Sequence, residues 1–581
     1  MPPPRLPESL SAIATTVQWY VQYSVIHFLP EVILTGGFLL VILLNALARN
    51  DIGQKATVYL SILVLVLAGF ASALQWHGVD PGHPREWKSG AIIFPYTQTL
   101  FAPNVRNGEP VSGYGMAVAD NFAVFFKLLI AVTGILVLCM SLASRELMAR
   151  SRRLGDYSSL LLGMMVGLFL MPASTDLLMM YLSLELVSIA GYILAGFSKD
   201  TPHASEAALK YILFGALSSG LMLYGFSLFY GLTGTTQIIA IRQVLALSPA
   251  THTGSNLLIL WLATALVLVG MCYKISAVPF HFWTPDVYEG APAPVAALLS
   301  VASKAAGFGL LARFVIFTFP LGAEQNLPVI NWPLLIAALS VITMTVGNLA
   351  ALLQSNVRRL LAYSSIAHAG YILAALAVSG ASIPARLFFS PPGVVAIMIY
   401  LATYLFMQLG AFYVIMLIEN KIGSEEIDDY RGLGARSPIV ASAFVIFLVS
   451  LTGIPLTAGF IGKFYLFTAI LTPNPVTHGM PWLWLAIAAI LNSIVSLYYY
   501  LRIASAMFLK RPLQELALQG VTDSGKWVVD NPDARYPLST LRYPLLQRIL
   551  LFAFVIPVIA LGVYFQPLID FASGVVRFFN F

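Results

Sequence analysis

Apolar runs of about 20 residues recur along almost the whole chain, with short polar segments between them. A helix of that length crosses the hydrocarbon core of a bilayer, which is about 30 Å thick. The pattern therefore predicts an all-α polytopic membrane protein with about 14 transmembrane helices. The predicted spans, numbered 1 to 14 in chain order, are 28–48, 57–75, 118–142, 157–174, 176–197, 206–230, 256–280, 293–317, 331–353, 357–379, 392–418, 437–472, 483–507 and 547–570.

Two of these runs contain residues that interrupt a helix. Span 12 is too long for one straight crossing and carries Gly453, Pro455, Gly459 and Gly462. Span 7 ends in the sequence SAVP at 276–279. Proline removes a helix hydrogen bond and clashes with the preceding turn. Broken helices in spans 7 and 12 indicate a transport path, because non-helical backbone at membrane depth persists only where protein or water satisfies it.

The composition agrees with a membrane protein and excludes several other classes. Hydrophobic residues make up 59% of the chain and charged residues only 10%, against about 25% charged in soluble domains. The two cysteines, Cys139 and Cys272, lie in apolar stretches and form neither a disulfide framework nor an iron–sulfur ligand set. No dinucleotide fingerprint, P-loop or haem-binding histidine pair is present. The sequence predicts no metal site and no redox site in this chain.

The distribution of basic residues predicts the topology. Loops after odd-numbered spans hold 19 Lys and Arg, whereas the other loops and the two termini hold 8. The positive-inside rule then places both termini outside, which is the periplasmic side of a bacterial inner membrane. The net charge of +6 arises mostly from these loops, so it does not indicate nucleic-acid binding.

Five lysines and one carboxylate within the predicted spans stand out, because a charge at the bilayer centre costs about 2.5–3.5 kcal/mol. They are Glu185, Lys127, Lys210, Lys274, Lys304 and Lys463. Lys127 and Lys210 are close enough to a span end for their ammonium groups to snorkel toward water. A fixed ion pair between helices is the alternative interpretation of Glu185. Several lysines with one carboxylate are better explained as a proton relay.

An internal repeat relates the two halves of the chain. The string AGYILA occurs at 190–195 and at 369–374, 179 residues or five spans apart. An odd number of spans inverts the second copy across the membrane, as in many transporters. Lys274 and Lys463 follow nearly the same offset. The predicted units are spans 1–3 with the outer loop (1–156), a first repeat of spans 4–8 (157–330), a second repeat of spans 9–13 (331–507), and the inner loop with span 14 (508–581).

The run KISAVPFHFWTPDVYEGAPAP at 274–294, followed by Ser303 and Lys304, resembles the signature of subunit N of respiratory complex I. That subunit corresponds to the mitochondrially encoded subunit 2 of NADH-quinone oxidoreductase. The resemblance extends through spans 1 to 13, in LPE at 29–31, LSLE at 182–185, EAALK at 206–210, RRLLAYSS at 358–365 and LTGIPLTAGFIGK at 451–463. The related subunits L and M and the multisubunit cation/proton antiporters tend to carry histidine where this chain has Lys304.

The resemblance implies a role for each buried charge. Glu185 and Lys274 would form the carboxylate–lysine pair on the proton-uptake side, Lys304 the central relay and Lys463 the lysine on the release side. Lys210 would tune the pair or admit protons. His281 matches the family pattern, and gating and simple packing remain equally open for it. We interpret His368 as a hydrogen-bonded core residue.

The resemblance also implies the setting in which the chain acts. It would be a proton-translocating subunit of an enzyme complex, with NADH, flavin, iron–sulfur clusters and quinone bound by other subunits. Its partners would be subunits L and M and small subunits such as K and J, with Glu31 and spans 1–3 near the small ones. The alternatives are a subunit of a cation/proton antiporter and a structural subunit with relic channel residues. The loops 76–115 and 508–546 are longer than the family pattern and could bind lineage-specific partners.

Overall fold

The polypeptide is almost entirely helical. The computed structural model describes residues 28–47, 50–76, 105–106, 109–110, 115–150, 153–247, 253–319, 330–379, 392–472, 480, 482–511 and 543–576. Most of the predicted long loops 76–115 and 508–546 lies outside the described residues, so their proposed role as partner sites stays a prediction. Within the described part, the two-residue strands Val105–Arg106 and Glu109–Pro110 form one small antiparallel pair that the sequence did not predict.

Thirteen helices of the described part are long and apolar enough to cross a membrane, which confirms the predicted class. They are Leu29–Leu47, Asp51–Leu74, Asn121–Ala143, Leu154–Ala173, Leu177–Ala195, Pro202–Thr233, Gly254–Ile275, Ala293–Thr318, Trp332–Leu352, Val357–Ser379, Gly393–Ile422, Leu483–Leu509 and Leu545–Val563. These helices correspond to spans 1–11, 13 and 14. Span 12 consists of two shorter apolar helices, Pro438–Thr452 and Ala458–Leu471.

Short helices connect the spans on both faces. They are Arg145–Ala149, Ile238–Leu247, Trp283–Gly290, Leu433–Arg436 and Gln566–Val576, with a 3₁₀ turn at Ile427–Tyr430. Several spans begin at a polar side chain that accepts a hydrogen bond from a free backbone N–H of the first turn. Asp120 caps span 3 in this way, Asp176 caps span 5 and Thr201 caps span 6. Such caps define where a helix starts.

Both predicted breaks are present, and a third irregularity accompanies them. Span 7 ends at Ile275, after which Ser276 has left-handed backbone (φ 61°), and the helix resumes only at Trp283. Span 12 is interrupted at Gly453, whose φ is 91°. Span 8 contains a π-helical turn, Leu299–Ser303, immediately before Lys304. A π turn widens the helix by one residue and is frequent at functional sites.

The interior is formed by the spans that carry the central polar residues. All residues of span 8 and nearly all of spans 10 and 11 are buried, whereas only 28% of the most apolar stretch is buried in each of spans 1 and 14. Each break lies in the fourth span of a predicted five-span repeat, span 7 of 4–8 and span 12 of 9–13. The division of the chain into repeat units remains a prediction.

Two ion pairs anchor the first three spans. Lys127 forms a 2.6 Å ion pair with Glu31, and both side chains are buried, so Lys127 does not snorkel as one interpretation had it. Arg313, which the topology count assigned to an outer loop, lies instead inside span 8. It pairs with Asp120 at 2.8 Å and donates from Nε to the carbonyl of Pro172 at 2.6 Å. Removing one partner of a buried pair costs about 3–5 kcal/mol. The first pair therefore holds spans 1 and 3 together, and the second fixes span 3 to span 8.

Candidate functional site

Three lysines are buried in the interior without a carboxylate partner. Lys274, Lys304 and Lys463 are 1%, 2% and 3% exposed. None of them takes part in an ion pair in the described part of the chain, in contrast to Lys127 and Lys210. Their ammonium groups bind neutral hydroxyl and carbonyl oxygens instead. A buried charge without a counter-ion is costly, so each site favours a group that can change its protonation state.

Lys274 is the last buried lysine before the break in span 7. Its Nζ donates to the Ser188 hydroxyl at 3.2 Å. Glu185 precedes Ser188 by one helical turn on span 5 and interacts electrostatically with Lys274, but no ion pair joins the two groups. The half-buried carboxylate of Glu185 lies beside the hydroxyl of Tyr181. The structure therefore brings the predicted carboxylate and lysine into one region but not into direct contact.

Lys304 follows the π turn of span 8 and reaches span 10. Its Nζ donates to the Ser365 carbonyl at 2.7 Å and also contacts the Ser365 hydroxyl. The Tyr404 hydroxyl donates to the same Ser365 oxygen at 3.0 Å. One turn beyond Lys304, a Cβ at Gly307 would lie 3.5 Å from Cγ of Lys274. The aliphatic part of Lys274 thus packs against span 8, which makes Lys274 and Lys304 neighbours.

His368 lies between Lys304 and Lys463 and interacts electrostatically with both. Its Nδ1 shares a hydrogen bond with the Tyr400 hydroxyl, and its Nε2 lies 3.2 Å from the Tyr500 hydroxyl. The interpretation of His368 as a hydrogen-bonded core histidine matches these contacts, but the sequence did not predict that it separates two of the lysines.

Lys463 sits at the break in span 12. Its Nζ donates to the Thr452 carbonyl at 2.7 Å and to the Ser493 hydroxyl at 2.9 Å, and it lies 5.0 Å above the Tyr371 ring. Thr452 ends the first half of the broken span. Carbonyls at a helix C-terminus carry partial negative charge and lack a helical partner. The break therefore supplies the oxygen that binds this lysine.

The internal repeat has a counterpart in these contacts. In the first half, Ser188, two residues before the repeated string, binds Lys274 of the broken span 7. In the second half, Tyr371 of the repeated segment faces Lys463 of the broken span 12. In each half, the lysine of the broken span therefore contacts the helix that carries the repeated string.

Two of the predicted site residues, Lys210 and His281, lie away from the three buried lysines. Lys210 is part-exposed and forms 2.6 Å ion pairs with Glu206 and Asp286. His281 is buried beside Phe282, with ring centroids 4.5 Å apart. Its ring makes no hydrogen bond to the three lysines among the described residues. Neither residue shares a direct contact with Glu185 or Lys274.

The neutral partners Ser188, Ser365 and Tyr371, like His368, were not predicted as site residues. A signal for some of them exists in span 10. Ser365, His368 and Tyr371 follow one another at intervals of three residues, which places them on one face of an otherwise apolar helix. A polar stripe on a helix that is apolar elsewhere marks the face that lines a polar interior.

We predict that Gly453→Ala destabilises the protein and displaces Lys463. Gly453 has a left-handed backbone, which costs a residue with a Cβ roughly 1–2 kcal/mol. The added Cβ would also lie 2.8 Å from Cδ of Lys463, so the lysine must move away from Thr452. The measurement is the midpoint of heat denaturation of the purified protein. Gly234→Ala is the matched control, because Gly234 has φ 70° with no atom near the added Cβ; an equal loss in both variants would contradict the lysine contact.

Comparison with known proteins identifies the family. A family model described as NADH:quinone oxidoreductase/Mrp antiporter, TM, matches residues 174–494. NADH-quinone oxidoreductase subunit N 2 of Chloroherpeton thalassium is 45% identical over 487 residues, which cover 83% of this chain and 85% of that protein. NADH-quinone oxidoreductase subunit N of Chlorobium chlorochromatii is 40% identical over 567 residues, covering 97% and 96%.

A solved structure extends the comparison to three dimensions. A chain of respiratory complex I from Thermus thermophilus with bound aureothin superposes with a TM-score of 0.65 at 27% identity, covering 93% of this chain and 98% of that one. The fold, the matched residues 174–494 and the near full-length relatives agree. The chain therefore belongs to the subunit N family of NADH-quinone oxidoreductase, within the NADH:quinone oxidoreductase/Mrp antiporter transmembrane family.

Proposed function

We propose that this chain translocates protons as a membrane-arm subunit of an NADH-quinone oxidoreductase, along a line formed by Glu185, Lys274, Lys304, His368 and Lys463. The observation that carries the proposal is the burial of three lysines that form no ion pair with any carboxylate of the described residues. An ammonium that only tied helices together would be paired, as Lys127 is with Glu31. Since the three lysines bind neutral oxygens, each can lose its proton without leaving a buried carboxylate uncompensated.

The partners of the lysines suit proton transfer. Serine and tyrosine hydroxyls both donate and accept hydrogen bonds, and neutral histidine carries one donor and one acceptor nitrogen. Lys304 is linked through Ser365 to Tyr404, and the ring of His368 lies 5.3 Å from the ring of Tyr404. A proton that leaves Lys304 therefore reaches the neighbourhood of His368 through hydroxyl groups and ordered water.

Glu185 supplies the control of the first step. A carboxylate near an ammonium favours its charged form, and separating the two favours release. Because Glu185 and Lys274 interact without direct contact, a small shift of span 5 changes the attraction between them. We further propose that Lys210 assists proton uptake from the inner face and that His281 gates the break in span 7.

The energy for transport comes from outside this chain. In the complex that we propose, NADH, flavin, iron–sulfur clusters and quinone are bound by other subunits, and quinone reduction there drives this channel. Its neighbours are subunits L and M and small subunits such as K and J, in a bacterial inner membrane with both termini periplasmic. The predicted unit boundaries at 157, 331 and 508 belong to the same proposal.

A multisubunit cation/proton antiporter is the second candidate, because the matching family model covers both groups. The named relatives favour the first: proteins called NADH-quinone oxidoreductase subunit N are 45% and 40% identical to the chain. The two functions differ in what drives proton movement. Acidification of inside-out vesicles on addition of NADH supports the oxidoreductase, whereas proton movement driven only by a sodium or potassium gradient would replace it with the antiporter.

We predict that Lys274→Met stops NADH-driven proton uptake by this channel. Methionine is unbranched and only one atom shorter than lysine, but it carries no titratable proton, so the first lysine of the line is removed with little change in packing. The measurement is the number of protons taken up per electron in inside-out vesicles from cells that carry the variant. Lys199→Met, at an exposed position in the loop after span 5, is the control. Normal uptake in Lys274→Met would contradict the proposed line.

A further inference from the structure

A polar cavity of roughly 420 Å³ opens on the face where the loops after odd-numbered spans meet. Charged residues from several spans line it: Glu206, Asp286, Glu289, Arg359 and Glu426. One of its lining residues, Asp286, follows Lys274 by twelve residues.

A cluster of packed aromatic rings adjoins both the cavity wall and Lys274, since Tyr211 follows the wall residue Ala207 by about one turn of span 6. Trp283 is 1% exposed and stacks on Tyr211 of span 6, with ring centroids 4.4 Å apart. Its indole Nε1 donates to the carbonyl of Tyr273 at 3.2 Å, and Tyr273 immediately precedes Lys274. Water cannot pass between rings in van der Waals contact. Trp283 thus contacts the helix that forms the cavity wall on one side and the residue before Lys274 on the other, which is the position of a plug between the two.

Ion pairs to two spans hold the short helix that carries Trp283. Trp283 begins the short helix Trp283–Gly290, and Asp286 follows it by one turn. Asp286 forms 2.6 Å ion pairs with Lys210 of span 6 and with Arg359 of span 10. Arg359 also contacts Glu289 of the same short helix at 2.7 Å. The short helix is thus clamped between one span of each predicted repeat.

The ion pairs of Asp286 are more exposed to solvent than the ion pairs that anchor spans 1–3, so they can break more easily. The side chains of Lys210, Asp286 and Arg359 are 37%, 23% and 30% exposed, whereas Arg313 of the anchoring pair is 2% exposed. Partly exposed pairs are individually weak because water screens them. Burial alone would raise the pKa of Asp286, but hydrogen bonds from Lys210 and Arg359 outweigh it and hold that pKa below its usual value. The carboxylate therefore stays charged and available to both partners.

Span 10 connects this clamp to the central lysine. Arg359 lies six residues before Ser365, which binds Lys304, and nine residues before His368. At 1.5 Å per residue these positions are about 9 and 14 Å along one helix. Because Ser365 and Arg359 belong to one continuous helix, a displacement of span 10 at Ser365 would also displace Arg359.

We propose that Lys210, Asp286 and Arg359 form a latch that holds the Trp283 plug closed, and that movement of span 10 opens it to admit protons to Lys274. This inference rests on the proposed function, because a gate has meaning only where protons pass. It assigns Asp286 and Arg359 as positioning residues, since they act on Trp283 and touch no lysine of the line. While the latch is closed, water in the cavity does not reach Lys274; it does so only after span 10 has moved in response to a change in the protonation of Lys304.

The test compares passive proton leak in sealed vesicles that contain the assembled complex, without NADH. In Asp286→Asn the amide keeps the shape of the side chain but loses both ion pairs, so an imposed pH gradient should decay several-fold faster than in the native vesicles. Asp428→Asn is the matched control: Asp428 pairs with Arg431 at 2.8 Å on the same face, is well exposed and does not line the cavity. A leak in Asp286→Asn no greater than in Asp428→Asn overturns the latch.

Two further variants separate a gate from structural damage. Arg359→Gln opens the latch from span 10 and carries the test if Asp286→Asn does not assemble, whereas Arg359→Lys keeps the charge and should restore the native leak. The double variant Asp286→Asn/Lys274→Met should lose the extra leak, because the open route ends at Lys274; a persisting leak would mean nonspecific damage and overturn the proposal. Normal pumping in the single variant Lys274→Met contradicts the proposed proton line, whereas an unchanged leak in Asp286→Asn contradicts only the latch. Failure of the proposed function and failure of the latch are therefore distinguishable.

Discussion

Lys304→Ala should abolish proton translocation while the complex still assembles. Lys304 is the only lysine of span 8 and is buried between Lys274 and His368. Alanine is the best helix former, so span 8 tolerates the change, but no titratable group replaces the ammonium. Removing a group that transfers a proton typically costs about 100-fold or more in rate. The measurement is NADH-driven proton uptake per electron in inside-out vesicles, with Lys510→Ala at an exposed position as control.

The variant Lys304→Arg shows whether Lys304 contributes proton transfer or only a fixed positive charge. Arginine retains the positive charge but does not give up its proton in proteins. If Lys304 carries protons, the arginine variant fails to pump as the alanine variant does. If Lys304→Arg pumps normally, the site needs only a fixed charge, and the relay at span 8 is wrong. A loss of assembled complex in the arginine variant, with normal assembly of Lys304→Ala, would reflect the larger guanidinium in a site that is 2% exposed.

The sequence predicted the parts of this structure that depend on local chemistry. Span lengths follow from the thickness of the bilayer, and the breaks follow from residues such as Pro279 and Gly453 that interrupt helices. Lys304 and Lys463 could be identified because an internal charge is expensive in lipid wherever it lies. These inferences need no knowledge of which spans are neighbours.

The contacts of the same residues could not be predicted, because they join distant parts of the chain. Lys304 binds Ser365, 61 residues away, and Lys274 binds Ser188, 86 residues away. Lys127 and Lys210 look alike in sequence, each near a span end, yet Lys127 is fully buried on Glu31 and Lys210 is part-exposed beside the cavity. Only helix packing distinguishes such pairs. His368 was undervalued for the same reason, since its neighbours Tyr400 and Tyr500 come from two other spans.

His368→Phe should reduce proton translocation by about 100-fold, the size expected when a proton-transferring group is lost. Phenylalanine is also a flat ring, slightly larger than imidazole, but it has no nitrogen, so the hydrogen bonds to Tyr400 and Tyr500 disappear. The route from Ser365 toward Lys463 then crosses an apolar ring. Proton uptake per electron is again the measurement, and the amount of assembled complex shows whether the fold survives.

His368→Gln separates two roles of the histidine. Glutamine donates and accepts hydrogen bonds but does not take up a proton to become a cation. It can therefore hold Tyr400 and Tyr500 in place without carrying a proton. If His368 itself carries the proton between Lys304 and Lys463, both variants stop pumping. If it only orders the two tyrosines and the water beside them, His368→Gln pumps and His368→Phe does not. Normal pumping in both variants would mean that neither the imidazole nor its hydrogen bonds to the two tyrosines are needed. Protons would then pass from Lys304 to Lys463 by another route, and the proposed role of His368 would be wrong. The imidazole contacts both tyrosines and interacts with both lysines, and we therefore expect the first outcome.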